Sequence, residues 1–147
     1  MAKKRQFYGF NPEKRADGLP VTLEEAVLEL MKKMPEYDMH TMLQMDEDHF
    51  MAEAHHSLGR TIRNKWIHIP MSRMRVWFKN SGIEHPDDMS SIILHCFYRY
   101  AKGMPLRLDD LVNKKIEHWN EWNPGLAKNI RLKYWNSDLR KMEYGYD

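Results

Sequence analysis

The stretch that decides the fold runs from Gly59 to Gly103 and reads GRTIRNKWIHIPMSRMRVWFKNSGIEHPDDMSSIILHCFYRYAKG. Pro86 suits the first turn of a helix, where its missing N–H costs nothing. Asp87 and Asp88 follow it and would meet the positive end of the helix dipole. The apolar residues after them recur at helical spacing as far as the closing glycine, a common helix stop. The sequence therefore predicts a long helix here, and we expect it to be the central and most buried one.

Helix start signals continue along the rest of the chain. They are the capping box Thr22 to Glu25, the N-cap residues Asp46 and Ser72, a start near Leu108 or Asp109 and a last start at Asn123-Pro124. The apolar stripe from Phe50 to Ile62 predicts that the helix after Asp46 continues to about Trp66. Strand alternation is not convincing anywhere. We therefore expect an all-α domain of five to seven orthogonally packed helices over residues 21–147, preceded by a basic arm at residues 1–20.

The length and the cysteine content limit the classes of protein to which the chain can belong. A chain of 147 residues fits one domain that can bury a core without a disulfide staple. Its one cysteine, Cys96, lies in an apolar run, which suits a small buried hydrophobe in a reducing compartment. We expect neither secretion nor membrane insertion, because no apolar region follows the charged residues Lys3, Lys4 and Arg5 and no run approaches the roughly 18 apolar residues of a membrane span. We expect a cytoplasmic protein without a membrane partner.

Charge is distributed unevenly along a chain whose formal net charge is only +2. The acidic segment, residues 24–53, holds nine acids against two lysines, and the basic segment, residues 60–79, holds six cations and no acid. Such blocks fit either an anionic partner or two helices whose opposite charges face each other within the fold. We favour the internal explanation.

Two short motifs carry the unusual polar residues of the opening stretch. They are Gly59-x-x-Ile62-Arg63-Asn64-x-Trp66 and His85-Pro86-Asp87-Asp88-x-Ser90. These motifs resemble those of a bacterial and phage domain family of unknown function, and the resemblance covers about residues 22–106. It implies a small accessory or regulatory protein, which for a phage product would act on a host factor in the host cytoplasm. The extra C-terminal helices expected at about 108–142 lie outside the resemblance.

The charged residues of the motifs admit two interpretations. Arg63 forms a bidentate pair with Asp87 or Asp88 and locks two helices together, or these residues line a ligand cleft with Asn64 and His85. We favour the lock, because acids at a helix start already have a structural use. An aspartate near its ordinary pKa of about 4 is also a poor base at neutral pH, so we expect no catalytic residue here.

A histidine-rich face offers a different chemistry. His49, Glu53 and His56 stand at positions i, i+4 and i+7 and would share one face of a helix. This spacing suits metal ligands, so a metal-assisted hydrolase is one alternative function. We expect instead that the face is solvated, because it would include Arg60 and Arg63 and lie opposite the apolar stripe. The sequence predicts no cofactor and no metal.

Cations and aromatic residues alternate in the basic segment. The residues concerned are Arg60, Arg63, Lys65, Trp66, Arg73, Arg75, Trp77 and Lys79. Cations contact phosphates and aromatic rings stack on bases, so nucleic acid is the alternative partner. The net charge is far from that of a dedicated nucleic-acid binder, whereas twelve methionines and five tryptophans suit protein interfaces. We therefore predict a non-enzymatic protein that binds another macromolecule, with a protein as the first choice; the oligomeric state is left open.

Overall fold

Helices account for all of the regular structure in the residues that the computed structural model describes, 18–122. Within this range the chain forms seven α-helices and one π-helical turn, and no strand. They are α1 (Leu23–Lys33), α2 (Glu36–Leu43), α3 (Glu47–Ala54), α4 (Leu58–Ile62), the π turn (Arg63–Ile67), α5 (Arg73–Asn80), α6 (Pro86–Lys102) and α7 (Leu108–Trp122). The predicted all-α, single-domain fold is confirmed.

The capping residues start the helices as predicted. The Thr22 hydroxyl accepts a hydrogen bond from the N–H of Glu25 at 3.2 Å, and the Glu25 carboxylate accepts one from the N–H of Val21 at 2.8 Å. Asp46 caps α3 and Ser72 caps α5 by the same use of a side-chain oxygen. These contacts satisfy amide donors that have no partner inside the helix.

The central helix is α6, which contacts every other helix described and the π turn. Pro86 lies in its first turn, and Gly103 ends it with a left-handed φ of 71°. Its buried side chains include Cys96, and they supply the middle of the core. Tyr98 also donates from its hydroxyl to the carbonyl of Met45 at 2.6 Å, which fixes the chain between α2 and α3. The prediction of a central, buried helix is confirmed.

The predicted single helix from Asp46 to about Trp66 is wrong. α3 ends at Ala54, a turn follows at residues 55–57, and α4 begins at Leu58. The hydroxyl of Ser57, within this turn, donates to the carbonyl of Glu53 at 2.9 Å. The apolar stripe continues across the break because both short helices bury one side against the core, so periodicity did not reveal the break.

The π turn follows α4 directly. The N–H of His68 donates to the carbonyl of Arg63 at 2.7 Å, five residues earlier, and the Ser72 hydroxyl donates to the carbonyl of Trp66 at 2.6 Å. Arg63 and Ile67 are buried, while the residues between them are exposed or half-buried. Single π-helical turns occur often at functional sites.

The described range covers part of the predicted organisation. The helix predicted to start near Leu108 is α7, whereas the start predicted at Asn123-Pro124 and nearly all of the basic arm lie outside the described residues. None of the helices within residues 18–122 is long and apolar enough to cross a membrane.

Candidate functional site

Arg63 lies at the contact between the π turn and α6, with 9% of its surface exposed. Its Nη1 donates to the Ser90 hydroxyl at 2.8 Å, and its Nη2 donates to the carbonyl of His55 at 3.0 Å. Its Nε lies 3.4 Å from Oδ1 of Asp87. One guanidinium thus joins the turn after α3, the π turn and the start of α6.

The two sequence motifs therefore meet, although not through the predicted bidentate pair. The side chain of Asp87 is 72% exposed and contacts Arg63 through a single nitrogen, and Asp88 turns towards α7. The buried partner is Ser90, whose hydroxyl also donates to the carbonyl of Asp87 at 3.1 Å. The prediction that Arg63 shares a solvated face with His49 is also wrong, because the break after α3 ends the regular rotation of 100° per residue.

Gly59 leaves room for this arginine. A Cβ at this position would lie 3.1 Å from Nη1 of Arg63, 3.2 Å from the carbonyl oxygen of Ala54 and 3.3 Å from Cδ1 of Leu94. These distances are shorter than the optimal separation of non-bonded heavy atoms, about 3.5–4.0 Å between carbons. The glycine and the arginine of the first motif therefore form one packing unit against α6.

The second motif also contacts α7. Asp88 accepts a hydrogen bond from the indole Nε1 of Trp119 at 2.6 Å, and Nζ of Lys115 lies 3.8 Å from its other oxygen. The ring of His85 stacks on the Trp119 indole with 3.6 Å between centroids. His85 and Asp88 thus hold α7 against the start of α6.

The basic segment places most of its charges at the surface. Its exposed polar residues are Arg60, Thr61, Asn64, Lys65, His68, Arg73 and Lys79. Arg75 is half-buried, and Trp66 and Trp77 are half-buried and pack against the core. Met71 is 95% exposed and adopts a left-handed φ of 57°, and Val76 is exposed on α5.

Several residues of the two charged segments have close polar contacts with oppositely charged or titratable side chains. Glu29 pairs with Lys33 within α1, and Glu47 pairs with His95 and Arg99 of α6. Arg63 of the basic segment pairs with Asp87, outside the acidic segment.

The histidine-rich face is solvent-exposed. Nε2 of His49 lies 3.3 Å from the Glu53 carboxylate, and both side chains are more than half exposed. His56 is also exposed and has an edge-on ring contact with His55. No group of three or more histidine, cysteine, aspartate or glutamate side chains within residues 18–122 is arranged to hold a metal ion.

A second polar cluster was not identified by the sequence analysis. One oxygen of Glu47, at the start of α3, accepts from Nδ1 of His95 at 2.5 Å and from Nε of Arg99 at 2.8 Å. Arg99 also donates to the carbonyl of Leu106. His95 and Arg99 lie 48 and 52 positions after Glu47 along the chain, so no local pattern could have indicated their contacts with it.

This cluster lines a cavity of about 240 Å³ between α3, α6 and α7. The lining residues are Glu47, Asp48, His95, Arg99, Leu111, Lys114 and Lys115. Burial lowers the pKa of His95, outweighing the opposing effect of the Glu47 carboxylate. The lowered pKa favours the neutral ring at pH 7, and the lining combines this ring with three cations and two carboxylates.

The fold and the site define a small all-α domain built around a buried arginine. The family model described as Domain of unknown function (DUF6794) matches residues 19–101, more than half of the chain, and the chain belongs to this family. Both sequence motifs lie within the matched residues. No curated protein matches the chain. No solved structure matches it either.

Proposed function

We propose that this protein is a non-enzymatic accessory or regulatory protein that binds an acidic surface of another protein. The binding surface, called here the basic surface, consists of exposed residues of the basic segment. They are Arg60, Asn64, Lys65, Met71, Arg73, Val76 and Lys79. Trp66, Arg75 and Trp77 of the same segment are half-buried, and the two tryptophans pack against the core.

The observation that carries the proposal is the exposure of Met71. A non-glycine residue in the left-handed region costs on the order of 1–3 kcal/mol, so the fold holds this side chain outward at an energetic cost. Methionine is flexible and polarisable and adapts to irregular partner surfaces. The apolar Val76 and several cations accompany it in the same segment, a composition that suits an amphipathic contact.

Three features favour a protein partner over nucleic acid. Trp66 and Trp77 pack against the core, so they are poorly placed for stacking on bases. The exposed apolar side chains Met71 and Val76 contribute nothing to a phosphate contact. The net charge of +2 is small, and a local positive field orients an acidic protein partner as well as it attracts phosphate.

The motif residues have a supporting role in this proposal. Arg63, Asp87 and Ser90 hold the π turn on α6, and His85 and Asp88 hold α7. Their contacts fix the position of Asn64 and Lys65, which the π turn presents to solvent. We assign the motifs to the positioning of the basic surface rather than to a ligand cleft.

The proposal extends to the setting in which the protein acts. The resemblance of the two motifs to a bacterial and phage domain family supports a phage- or bacterium-encoded protein that acts in the cytoplasm. For a phage product, the partner is then a host factor. This setting is proposed by analogy with the family that the motifs resemble.

A gel-shift titration separates the two classes of partner. The full chain is titrated against unrelated DNA and RNA at about 0.15 M salt, where the screening length is roughly 8 Å. We expect at most weak association. Submicromolar binding to unrelated sequences would assign the basic surface to nucleic acid, provided that replacing Arg73 and Arg75 flattens the salt slope by about one for each cation that neutralises a phosphate.

A further inference from the structure

The cavity beside Glu47 has the composition of a small binding site. Its volume of about 240 Å³ is equivalent to about eight water molecules at their share of liquid volume, roughly 30 Å³ each. Drug-sized ligands occupy pockets of about 300–1,000 Å³, so this cavity suits a smaller molecule. Six of the seven lining residues carry charged or titratable side chains, although the surface they present to the cavity is about equally polar and apolar, which suits a ligand with both polar and apolar parts.

Three of the lining residues are fixed before any ligand arrives. The Glu47 carboxylate holds His95 and Arg99, and Arg99 is held a second time by the carbonyl of Leu106. The charge of Glu47 is offset by Arg99 at 2.8 Å. Such pre-organisation reduces the ordering cost of binding.

The remaining polar groups are available for recognition. Lys114 is exposed and Lys115 is partly exposed, with its ammonium 3.8 Å from Asp88. The second acid in the lining, Asp48, is exposed to solvent as Lys114 is, so the lining holds three cations against two carboxylates. The ring nitrogen Nε2 of His95 has no hydrogen-bond partner within the described residues.

We infer that this cavity binds a small anion that also carries a hydroxyl group, such as a phosphorylated polyol or a hydroxy acid. The anionic group contacts the ammonium groups of Lys114 and Lys115, which form charge-assisted hydrogen bonds. The hydroxyl donates to Nε2 of His95, because Nδ1–H of the neutral ring already donates to Glu47. This site is independent of the basic surface, which lies on other elements.

NMR spectra of the histidine side chains test whether the cavity binds such an anion. Long-range ¹H–¹⁵N correlation spectra of the full chain are recorded at neutral pH during titrations with glycerol 3-phosphate, with glycerate and with glycerol. Sodium chloride keeps the ionic strength constant. We expect a saturable shift of His95 Nε2 with at least one of the two anions, at a Kd of about 1 mM or tighter, and no saturable shift with glycerol. The anion that saturates first identifies the headgroup as phosphate or carboxylate.

Matched variants decide whether the cavity is responsible. Lys114→Gln removes a charge from an exposed side chain and should weaken binding about tenfold, the equivalent of one charge-assisted contact. Lys79→Gln removes an exposed lysine of the basic surface and should leave the Kd unchanged. The inference is overturned if neither anion shifts His95, if glycerol produces the same shift, or if both lysine variants bind as tightly as the unmodified chain.

Discussion

The guanidinium of Arg63 and the hydroxyl of Ser90 form a buried hydrogen bond of 2.8 Å between residues 27 positions apart. This bond joins the two motifs of the chain, one ending in the π turn and the other opening α6. The aspartate beside it, Asp87, is largely exposed and contributes a longer contact of 3.4 Å. The buried hydrogen bond between Arg63 and Ser90 should therefore contribute more to stability than the exposed contact with Asp87.

Arg63→Ala should lower the free energy of unfolding by about 2 kcal/mol or more. The substitution removes the donors to Ser90 and to the carbonyl of His55 and leaves buried polar groups without their partners. Urea unfolding of the full chain measures the change. Asp87→Asn is the control and should cost less than about 1 kcal/mol, because its side chain is exposed. An Arg63→Ala protein of full stability that loses only binding would support a ligand cleft instead.

Gly59→Ala should destabilise the protein by about 1 kcal/mol. The gain in helix propensity, about 1 kcal/mol, is smaller than the cost of crowding Arg63 and the carbonyl of Ala54, which is typically 1–3 kcal/mol. The same substitution made in an Arg63→Ala background should be neutral or stabilising, because one of the crowded groups is gone. Equal effects in the two backgrounds would show that the glycine does not serve the arginine.

Stability should fall as the pH drops below about 6.5, in part because of His95. Burial lowers the pKa of His95 from its ordinary value of 6.5, with Arg99 and Lys115 acting in the same direction and Glu47 opposing them. The unfolded chain then binds the proton at a higher pH than the folded chain, so the free energy of unfolding decreases through this window. Chemical unfolding between pH 7.5 and about 5 should show a smaller slope for His95→Gln than for the exposed control His49→Gln. Identical slopes would contradict the assignment.

His49→Ala should leave the melting temperature nearly unchanged. The His49 and Glu53 side chains are exposed, and their pair lies on the surface of α3, where such contacts contribute little. Elemental analysis of the purified chain should find no stoichiometric zinc. Bound metal that disappears in the His49→Ala protein would revive the hydrolase alternative.

Local signals predicted much of the fold. The capping roles of Thr22, Asp46 and Ser72, and the ends of α6 at Pro86 and Gly103, depend on residues a few positions apart, and the structure confirms each of them. The break after Ala54 was missed because the apolar stripe continues through it. Apolar periodicity indicates which side of a helix is buried. It does not indicate whether the backbone hydrogen bonds continue from one turn to the next.

The candidate sites were predicted less completely, because their contacts are tertiary. The sequence motifs predicted a contact between Arg63 and Asp87. They did not identify the two other partners of Arg63, the hydroxyl of Ser90 and the carbonyl of His55. The Glu47–His95 contact gave no local signal, since His95 lies in an apolar run of α6 and reads as a core position. The signal available in the sequence was a histidine, His95, within a mostly apolar run.

The central claim is that the basic surface binds a protein, and affinity capture with matched variants tests it most directly. The tagged full chain is incubated with lysate of its native cell, with and without nuclease treatment, and a protein that it retains is then purified for titration. The combined substitution Met71→Ser and Lys65→Gln should reduce the affinity at least about tenfold, because it removes both an exposed apolar side chain and a charge. The control Met104→Ser with Lys32→Gln, which alters residues of the same types at other exposed positions, should bind as the unmodified chain does. Equal affinity of the two double variants, or retention that disappears with nuclease treatment, would contradict the account.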